Sequence, residues 1–414
     1  MTLVPMSARY QRPDWVRRLN AMADSVGDPE EGARRIVPLD GEALLACAEG
    51  SLGGPMPHDL GDPHWRGRFL ATVAAMDDAP LHVVGRLQTR QELLRALRTR
   101  HLLAGQLAAR PETAQQPIEA PVIVTGPARS GTTILFELLA LDPALRAPVA
   151  WRALHPVPLP DAPEDHRRLA TECEQELWAE VQPEFAAIHE LRSDLPVECV
   201  TLTAPSFCGP HWPMVVPAAA VASEPAANYG FHRRILQALQ QGEPEATWLL
   251  KTPAHLATID LLFETYPDAW VVQTHRDPAR TMPSTVSTTA MLHWLRTEHV
   301  EIEPLAAGIE AVFGAALNEV AERRRKGTLP DRFVDVHFQE LMHDPVGTLR
   351  AAYEGMGRGF GPEHAERVTR YLAEKPKGKF GVHRYTPEAW GFDRSQLRRR
   401  LAPYIETFGV ALED

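Results

Sequence analysis

The sequence predicts an α/β fold in which a P-loop-like, mainly parallel sheet is flanked by helices and preceded by a helical N-terminal region. Short apolar runs alternate with amphipathic helical patterns, which is typical of a parallel sheet covered by helices on both faces. Chemically distinctive residues follow three of these runs, and ligands of such sheets bind beyond the carboxyl ends of the strands. The four predicted strands are 122–125, 248–250, 270–274 and 333–336.

Residues 1–117 carry helical patterns and precede the predicted α/β domain, which we place at 118–414. Within that domain, residues 160–246 are expected to form a helical and loop insertion. The arginines on the longest N-terminal pattern are predicted to be solvated or ion-paired at the surface, and the N-terminal region is a candidate homodimer surface. Apolar residues at helical spacing define three N-terminal patterns, Asp40–Gly50, His64–Met76 and Gly85–Leu107.

The composition excludes several classes of protein. The 414-residue chain has a formal net charge of −11, so it is not expected to coat nucleic acid by bulk charge. No stretch approaches the ~20 apolar residues that span a membrane, and no apolar signal-peptide core is present, so we expect a cytoplasmic protein. Its four cysteines match no zinc spacing, and we expect no metal. Only five of the 43 basic residues are lysine, which makes each lysine a candidate functional residue.

The segment Gly126–Thr133, GPARSGTT, has the spacing of a phosphate loop between a strand and a helix. Its two glycines allow conformations that turn successive backbone N–H groups towards an anion. Thr132 stands where such loops usually carry lysine, and Arg129 supplies a cation whose planar fork suits a tetrahedral anion. No predicted strand ends in a lone aspartate for magnesium, so we expect the loop to bind phosphate without a magnesium-bound triphosphate.

With these residues the chain resembles the sulfotransferases that use 3′-phosphoadenosine-5′-phosphosulfate (PAPS). The arginine in the loop is similar to that of the bacterial branch and of the tyrosylprotein sulfotransferases. The resemblance implies that the loop binds the 5′-phosphosulfate of PAPS, that the product is adenosine 3′,5′-bisphosphate, and that no metal takes part. The loop residues implied in binding are Arg129, Ser130, Gly131, Thr132 and Thr133.

Two further segments match the 3′-phosphate signatures of that family. Arg276 follows the predicted strand 270–274, and Ser284 lies eight residues further on, a pair that can clamp an anion at two points. Taken alone, Arg276 could simply pair with Asp277. A glycine-bearing basic loop, PKGKFG, is the second segment, and its residues implied in 3′-phosphate binding are Lys377, Gly378 and Lys379.

Sulfuryl transfer requires cations near the leaving oxygen and a base for the acceptor hydroxyl. The resemblance implies Arg129 and Lys251 as the cations, and Lys251 ends a predicted strand in the segment LLKTPAH. Family members take the base from a histidine shortly after that lysine or from a glutamate after the first helix, but Arg152 stands where that glutamate is expected. The candidate bases that remain open are His155, His255 and Glu198.

We therefore expect a PAPS-dependent sulfotransferase that acts on a hydroxyl of a small-molecule or lipid acceptor, with residues 160–246 on the acceptor side. A P-loop kinase or ATPase is the alternative, and the missing loop lysine and magnesium aspartate disfavour it. A non-catalytic nucleotide-binding protein, with the N-terminal helices as a partner surface, is a third hypothesis. It predicts nucleotide binding without transfer to any acceptor.

Overall fold

A computed structural model of the protein describes residues 3–159, 162, 166–187, 190–243, 245–374 and 386–413. The strands in this part of the chain are β1 (Val122–Thr125), β2 (Leu145–Arg146), β3 (Thr247–Lys251), β4 (Trp270–His275) and β5 (Phe333–His337). They form one parallel sheet in the order β2-β3-β1-β4-β5. The predicted α/β fold with a mainly parallel sheet is confirmed.

The central strand β1 determines where the site forms. Val122 aligns with Leu249 of β3 on one side and with Trp270 of β4 on the other, and every side chain of β1 is buried. Because parallel strands end at the same edge of a sheet, the residues that follow β1, β3 and β4 meet there. The sequence did not predict β2, since two residues are too few to produce a periodic pattern.

In the described chain, six helices precede the sheet and confirm the predicted helical N-terminal region. They are α1 (Met6–Arg9), α2 (Asp14–Asn20), α3 (Pro29–Ile36), α4 (Gly41–Ser51), α5 (Trp65–Asp78) and α6 (Val83–Ala109). Leu103 and Leu107 of α6 pack into the same core as Ile123 of β1 and Leu250 of β3. The N-terminal helices therefore share a core with the sheet, and the domain boundary at 117/118 stays a prediction.

Fifteen further helices follow β1 in the described residues. They are α7 (Thr132–Leu139), α8 (Ala150–Leu154), α9 (Arg167–Val181), α10 (Cys199–Leu202), α11 (His211–Val215), α12 (Pro225–Gln240), α13 (Ile259–Thr265), α14 (Pro278–Trp294), α15 (Ile302–Ile309), α16 (Ala315–Arg325), α17 (Phe338–His343), α18 (Pro345–Gly355), α19 (Pro362–Glu374), α20 (Arg394–Arg400) and α21 (Ala402–Phe408). None of the helices described is long and apolar enough to cross a membrane.

Three arginines of α6 lie deeper than the sequence predicts. Arg86 and Arg100 are fully buried, and Arg95 is nearly so. Arg86 pairs with Asp77, and Arg95 Nε lies 2.8 Å from a Glu174 oxygen. The predicted ion pairs are present, but the predicted surface position is wrong for these three residues. The reason is that α6 packs against α2, α3, α4 and α12 and is enclosed by them.

Candidate active site

The phosphate loop joins β1 to α7, and close backbone packing fixes its course. Gly126 has a φ of +134°, and a Cβ at this position would lie 2.3 Å from Thr274 Oγ1 on β4. Gly131 precedes α7 with a φ of +90°. Both positions therefore favour glycine. The first N–H groups of α7 have no partner within the helix, so they can bind an anion at the edge where β1 ends.

Ser130 and Arg129 have different surroundings in this loop. Ser130 is buried, and its hydroxyl lies 2.5 Å from the Pro127 carbonyl oxygen and 2.5 Å from Thr274 Oγ1. Its side chain thus ties the loop to β4. Arg129 is exposed, with a φ of +67°, and its guanidinium has no hydrogen-bond or ion-pair partner among the described residues. Arg129 is therefore the loop cation that is available to a ligand.

Lys251, the last residue of β3, connects the phosphate loop to the start of α10. Its Nζ donates to Thr133 Oγ1 at 3.0 Å and lies 2.6 Å from Glu198 Oε1. The second oxygen of Glu198 accepts a hydrogen bond from Thr252 Oγ1 at 3.2 Å. The Lys251 side chain is 3% exposed, whereas that of Glu198 is 22% exposed. The structure thus brings together two predicted catalytic residues and one predicted loop residue.

A cavity of about 1140 Å³ opens beside this ion pair. Thr133, Glu198 and Lys251 belong to its wall. The wall is largely apolar, and its apolar side chains include Trp178, Phe185, Val200, Met214, Leu292 and Leu305. Such a cavity can hold an apolar molecule while the few polar groups fix its orientation. The Lys251–Glu198 pair is placed to meet a hydroxyl of that molecule.

His255 also lines the cavity, but it belongs to a buried hydrogen-bond network. Its Nδ1 lies 2.7 Å from the Tyr229 hydroxyl, and the Nδ1 of the neighbouring His232 lies 2.8 Å from the Tyr266 hydroxyl. Burial, together with His232, lowers the pKa of His255 to about 3. An imidazole with so low a pKa is a poor proton acceptor near neutral pH.

His155 and Arg152 form ion pairs with residues of other segments, away from the phosphate loop. His155 is not one of the described residues that line the cavity. Its Nε2 lies 3.1 Å from a Glu174 oxygen. Arg152 donates to the Leu239 carbonyl oxygen at 2.7 Å and lies 2.9 Å from a Glu243 oxygen. The structure thus does not bring His155 to the phosphate loop.

Arg276 follows β4 and lies against the phosphate loop. Its Nη1 donates to the Arg129 carbonyl oxygen at 2.8 Å, and its guanidinium stacks 3.7 Å above the Phe338 ring. Its remaining two nitrogens meet the carboxylate of Glu413, at 2.6 Å and 2.8 Å. The predicted anion-binding arginine thus lies beside the loop and binds an anionic side chain of this chain.

Asp277 does not pair with Arg276. It is fully buried, accepts a hydrogen bond from the Ala279 N–H at 2.9 Å at the start of α14, and forms an ion pair with Arg398. Ser284 is buried in α14, one residue beyond Pro283. The predicted 3′-phosphate residues Lys377, Gly378 and Lys379 lie outside the described residues.

The sequence model of the sulfotransferase family matches residues 121–362 of this chain. That segment contains the phosphate loop, Lys251 and Arg276. The chain belongs to the sulfotransferase family. Sulfotransferase STF9 from Mycobacterium avium is similar in structure, with a TM-score of 0.78 and 25% identity over 91% of this chain and 98% of that one. Sulfotransferase STF1 from Mycobacterium tuberculosis gives a TM-score of 0.69 and 27% identity, covering 87% of this chain and 98% of its own.

A relative in sequence is the omega-hydroxy-beta-dihydromenaquinone-9 sulfotransferase Stf3, from Mycobacterium bovis and from Mycobacterium tuberculosis. It is 25% identical over 295 residues, which cover 65% of this chain and 71% of the relative. The predicted sulfotransferase activity is confirmed, and the kinase or ATPase alternative is not favoured. Members of this family take the transferred group from a sulfonate donor. In the described part of this sulfotransferase, no cluster of three His, Cys, Asp or Glu residues is placed to hold a metal ion.

Two contributors to the site were not predicted. Thr252 follows Lys251 directly and donates a hydrogen bond to the second oxygen of Glu198. Its position next to the rare lysine could have marked it as a site residue. Glu413 reaches Arg276 across 137 residues of sequence. No local pattern marks such a pairing, so sequence reasoning could not find it.

Proposed function

We propose that this sulfotransferase moves the sulfuryl group of PAPS to a hydroxyl of an apolar, lipid-like alcohol held in the cavity. The observation that carries the proposal is the position of Lys251 Nζ, which contacts both Thr133 of the phosphate loop and Glu198 at the cavity wall. One ammonium group therefore links the donor side to the acceptor side. The cytoplasmic location and the homodimer through the N-terminal helices stay predictions.

The residues of the loop fit a PAPS donor. The close approach at Gly126 leaves room for backbone but not for a side chain, as a phosphate cradle requires. Arg129 offers an exposed guanidinium beside this cradle, and Thr133 offers a hydroxyl. When bound, PAPS supplies the activated sulfuryl group and departs as adenosine 3′,5′-bisphosphate. Arg129 and Thr133 would hold its 5′-phosphosulfate.

Lys251 stabilises the negative charge that develops on the leaving oxygen. Its ammonium is buried and held by two partners, so it needs little reorganisation as the charge grows. The cavity wall around it is largely apolar, and a charge acts more strongly there than in water. Arg129 adds a second cation from the loop.

Glu198 is the base in this proposal. A carboxylate oxygen beside Lys251 can accept the proton of an acceptor hydroxyl while its second oxygen stays bound to Thr252. Transfer of that proton leaves the acceptor oxygen free to form its bond to sulfur. His255 is disfavoured by its network and low pKa. His155 is disfavoured because its Nε2 is held by Glu174 and because it is not among the described residues that line the cavity.

The acceptor class follows from the cavity and from a relative. An apolar wall with a hydroxyl-binding pair on it suits an alcohol with an extended hydrocarbon body. The related mycobacterial enzyme is named for an omega-hydroxylated dihydromenaquinone. Both observations support a lipid alcohol over a charged acceptor such as a glycan acid.

The test is transfer from radiolabelled PAPS to a panel of long-chain alcohols, phenols and glycans. We expect labelled product with the alcohols, and a loss of turnover of roughly 100-fold or more in Lys251→Met and in Glu198→Gln. Calorimetry should show adenosine 3′,5′-bisphosphate bound within a few-fold of the unmodified affinity in both variants. This separates a defect in chemistry from a defect in donor binding.

Lys326→Met is the matched lysine control, because Lys326 forms an exposed pair with Glu322 away from the site. It should retain full turnover. His155→Gln should also retain turnover, and its inactivation would move the base to His155. Normal turnover in Glu198→Gln would exclude Glu198 as the base, and binding of the nucleotide without transfer to any acceptor would refute the proposed function.

A further inference from the structure

The cavity that contains Lys251 and Glu198 has a second set of polar residues on its wall. Gln88 comes from α6, His211 from α11 and His293 from the end of α14. All three residues are at least nine-tenths buried, with exposures of 2%, 9% and 7%. None of them belongs to the phosphate loop or to the Lys251–Glu198 pair.

These side chains present polar atoms that the described protein does not satisfy. Both the amide nitrogen and the amide oxygen of Gln88 are buried without a hydrogen-bond partner among the described residues. The same is true of Nε2 in His211 and Nε2 in His293. Burying a polar atom without a partner is unfavourable, so a group of such atoms on a cavity wall points to a ligand that binds them.

The charged groups around this set pair with one another, although Arg296 keeps Nε and Nη1 without a hydrogen-bond partner among the described residues. Arg296 Nη2 lies 2.7 Å and 2.8 Å from the two oxygens of Glu92, and Trp178 Nε1 donates to the same carboxylate at 2.9 Å. His211 Nε2 lies 3.7 Å from Glu92, too far for a direct hydrogen bond. Burial lowers the pKa of His293 to about 4, so its ring is neutral at pH 7. Burial also lowers the pKa of His211 below its usual value, so the set offers uncharged hydrogen-bonding groups at pH 7.

We propose that Gln88, His211 and His293 form a subsite for a second, uncharged oxygen-bearing group of the acceptor, a hydroxyl or a carbonyl. This inference rests on the proposed function, because the first hydroxyl of the same molecule lies at Lys251 and Glu198. The acceptor is thus an amphipathic molecule with an apolar body and two separate oxygen functions. A plain monoalcohol satisfies the first position and leaves the second unbound.

The experiment compares terminal alkanediols with monoalcohols of equal chain length, at eight, twelve and sixteen carbons. Binding is measured by calorimetry in the presence of adenosine 3′,5′-bisphosphate, so the readout does not depend on turnover. We expect one diol to bind about tenfold more tightly than its monoalcohol, as one well-made buried hydrogen bond allows. Gln88→Met should reduce that preference to about twofold.

Gln88→Met preserves side-chain volume and removes an unsatisfied amide, so it should fold and melt at or above the unmodified temperature. His293→Leu is a second variant and should also reduce the preference. Gln91→Met is the matched control from the same helix, because the Gln91 amide already donates to Glu174 at 3.0 Å. Gln91→Met should keep the full preference for the diol.

The outcomes separate the two proposals. Equal binding of diol and monoalcohol, in a protein that does sulfate alcohols, overturns the subsite and leaves the proposed function intact. A diol preference that depends on Gln88, in a protein without transfer activity, supports the subsite and overturns the proposed function. Binding of neither alcohol overturns both.

Discussion

Arg276 and Glu413 form a two-point ion pair beside the phosphate loop, with Nε 2.6 Å from one carboxylate oxygen and Nη2 2.8 Å from the other. The backbone around Glu413 is fixed too, because its N–H donates to Asp277 at 2.8 Å. The fork of Arg276 is the group that sequence resemblance assigns to the 3′-phosphate. A carboxylate of this chain thus binds where the resemblance expects a phosphate of the donor.

The first prediction is that Glu413 competes with the 3′-phosphate for Arg276. Replacing Glu413 by Gln removes the competing charge, so binding of adenosine 3′,5′-bisphosphate should tighten roughly three- to tenfold in calorimetry. Arg276→Met removes the fork itself and should weaken binding at least about tenfold.

Asp260→Asn is the control, since Asp260 forms an equivalent two-point pair with Arg323 on the surface, at 2.7 Å on both nitrogens. It should leave nucleotide affinity unchanged. Weaker binding in Glu413→Gln would contradict competition, because it would mean that Glu413 orients Arg276 for the phosphate.

The second prediction concerns the backbone packing of the phosphate loop. In Gly126→Ala the new Cβ would lie 2.3 Å from Thr274 Oγ1 and 2.6 Å from the Thr274 carbonyl oxygen. Both atoms belong to β4, which is held in the sheet between β1 and β5. The loop must therefore move away from β4, and we expect nucleotide affinity to fall by more than about tenfold. Calorimetry with adenosine 3′,5′-bisphosphate measures this directly.

Gly357→Ala is the control that separates the effect of local backbone strain from the effect of displacing the phosphate loop. Gly357 also has a positive φ, +68°, but nothing lies within 4 Å of its Cβ position. This variant should lose about 1 kcal/mol of stability and no nucleotide affinity. Normal affinity in Gly126→Ala would show that the loop does not bind the donor in the observed conformation.

The strands and the phosphate loop could be predicted because their signals are local. The apolar run 122–125 and the glycines after it lie within one short segment, and the structure has β1 at those residues. Lys251 was conspicuous for a different reason, since lysine is rare in this chain. These features need no knowledge of distant partners.

What could not be predicted depends on contacts between distant segments. Our proposal of Glu198 among three candidate bases rests on its contact with Lys251 at the end of β3, which no periodic pattern in the sequence reveals. Arg86 and Arg100 are buried because other helices enclose α6. From sequence alone, a helical pattern with many arginines predicts a solvent-exposed helix. The cavity is likewise a property of packing, since its wall comes from many separate elements.

The third prediction is a loss of stability in mild acid through the buried histidine network. Burial, with His232 nearby, lowers the pKa of His255 to about 3, whereas in the unfolded chain it returns to about 6.5. Below pH 6.5 the unfolded state binds the proton and the folded state does not, so stability falls as the pH decreases. One such histidine accounts for on the order of 2 kcal/mol between pH 7.5 and pH 5.

Urea unfolding at both pH values, with and without His255→Phe, measures this effect. The variant should lose less stability between pH 7.5 and pH 5 than the unmodified protein does. His299→Gln is the control, because the His299 side chain is 64% exposed rather than buried. An identical acid response in His255→Phe would exclude His255 as a source of the acid sensitivity.

The last prediction concerns the buried ion pair between Glu92 and Arg296. The Arg296 side chain is fully buried. Burial alone would raise the pKa of Glu92, but the positive charge nearby, chiefly that of Arg296, outweighs burial and lowers that pKa to about 2. Glu92→Gln leaves the arginine buried without its counter-charge, which should lower the free energy of unfolding at pH 7.5 by about 3–5 kcal/mol.

Asp14→Asn breaks an exposed pair with Arg17 and should cost about 1 kcal/mol or less in the same urea experiment. The pH dependence gives an independent check on Glu92. Because its folded pKa lies below the unfolded value, its contribution is complete above about pH 4.5 and is lost as the pH falls towards 2. A change below about 1 kcal/mol in Glu92→Gln would mean that water or a rearranged neighbour compensates Arg296.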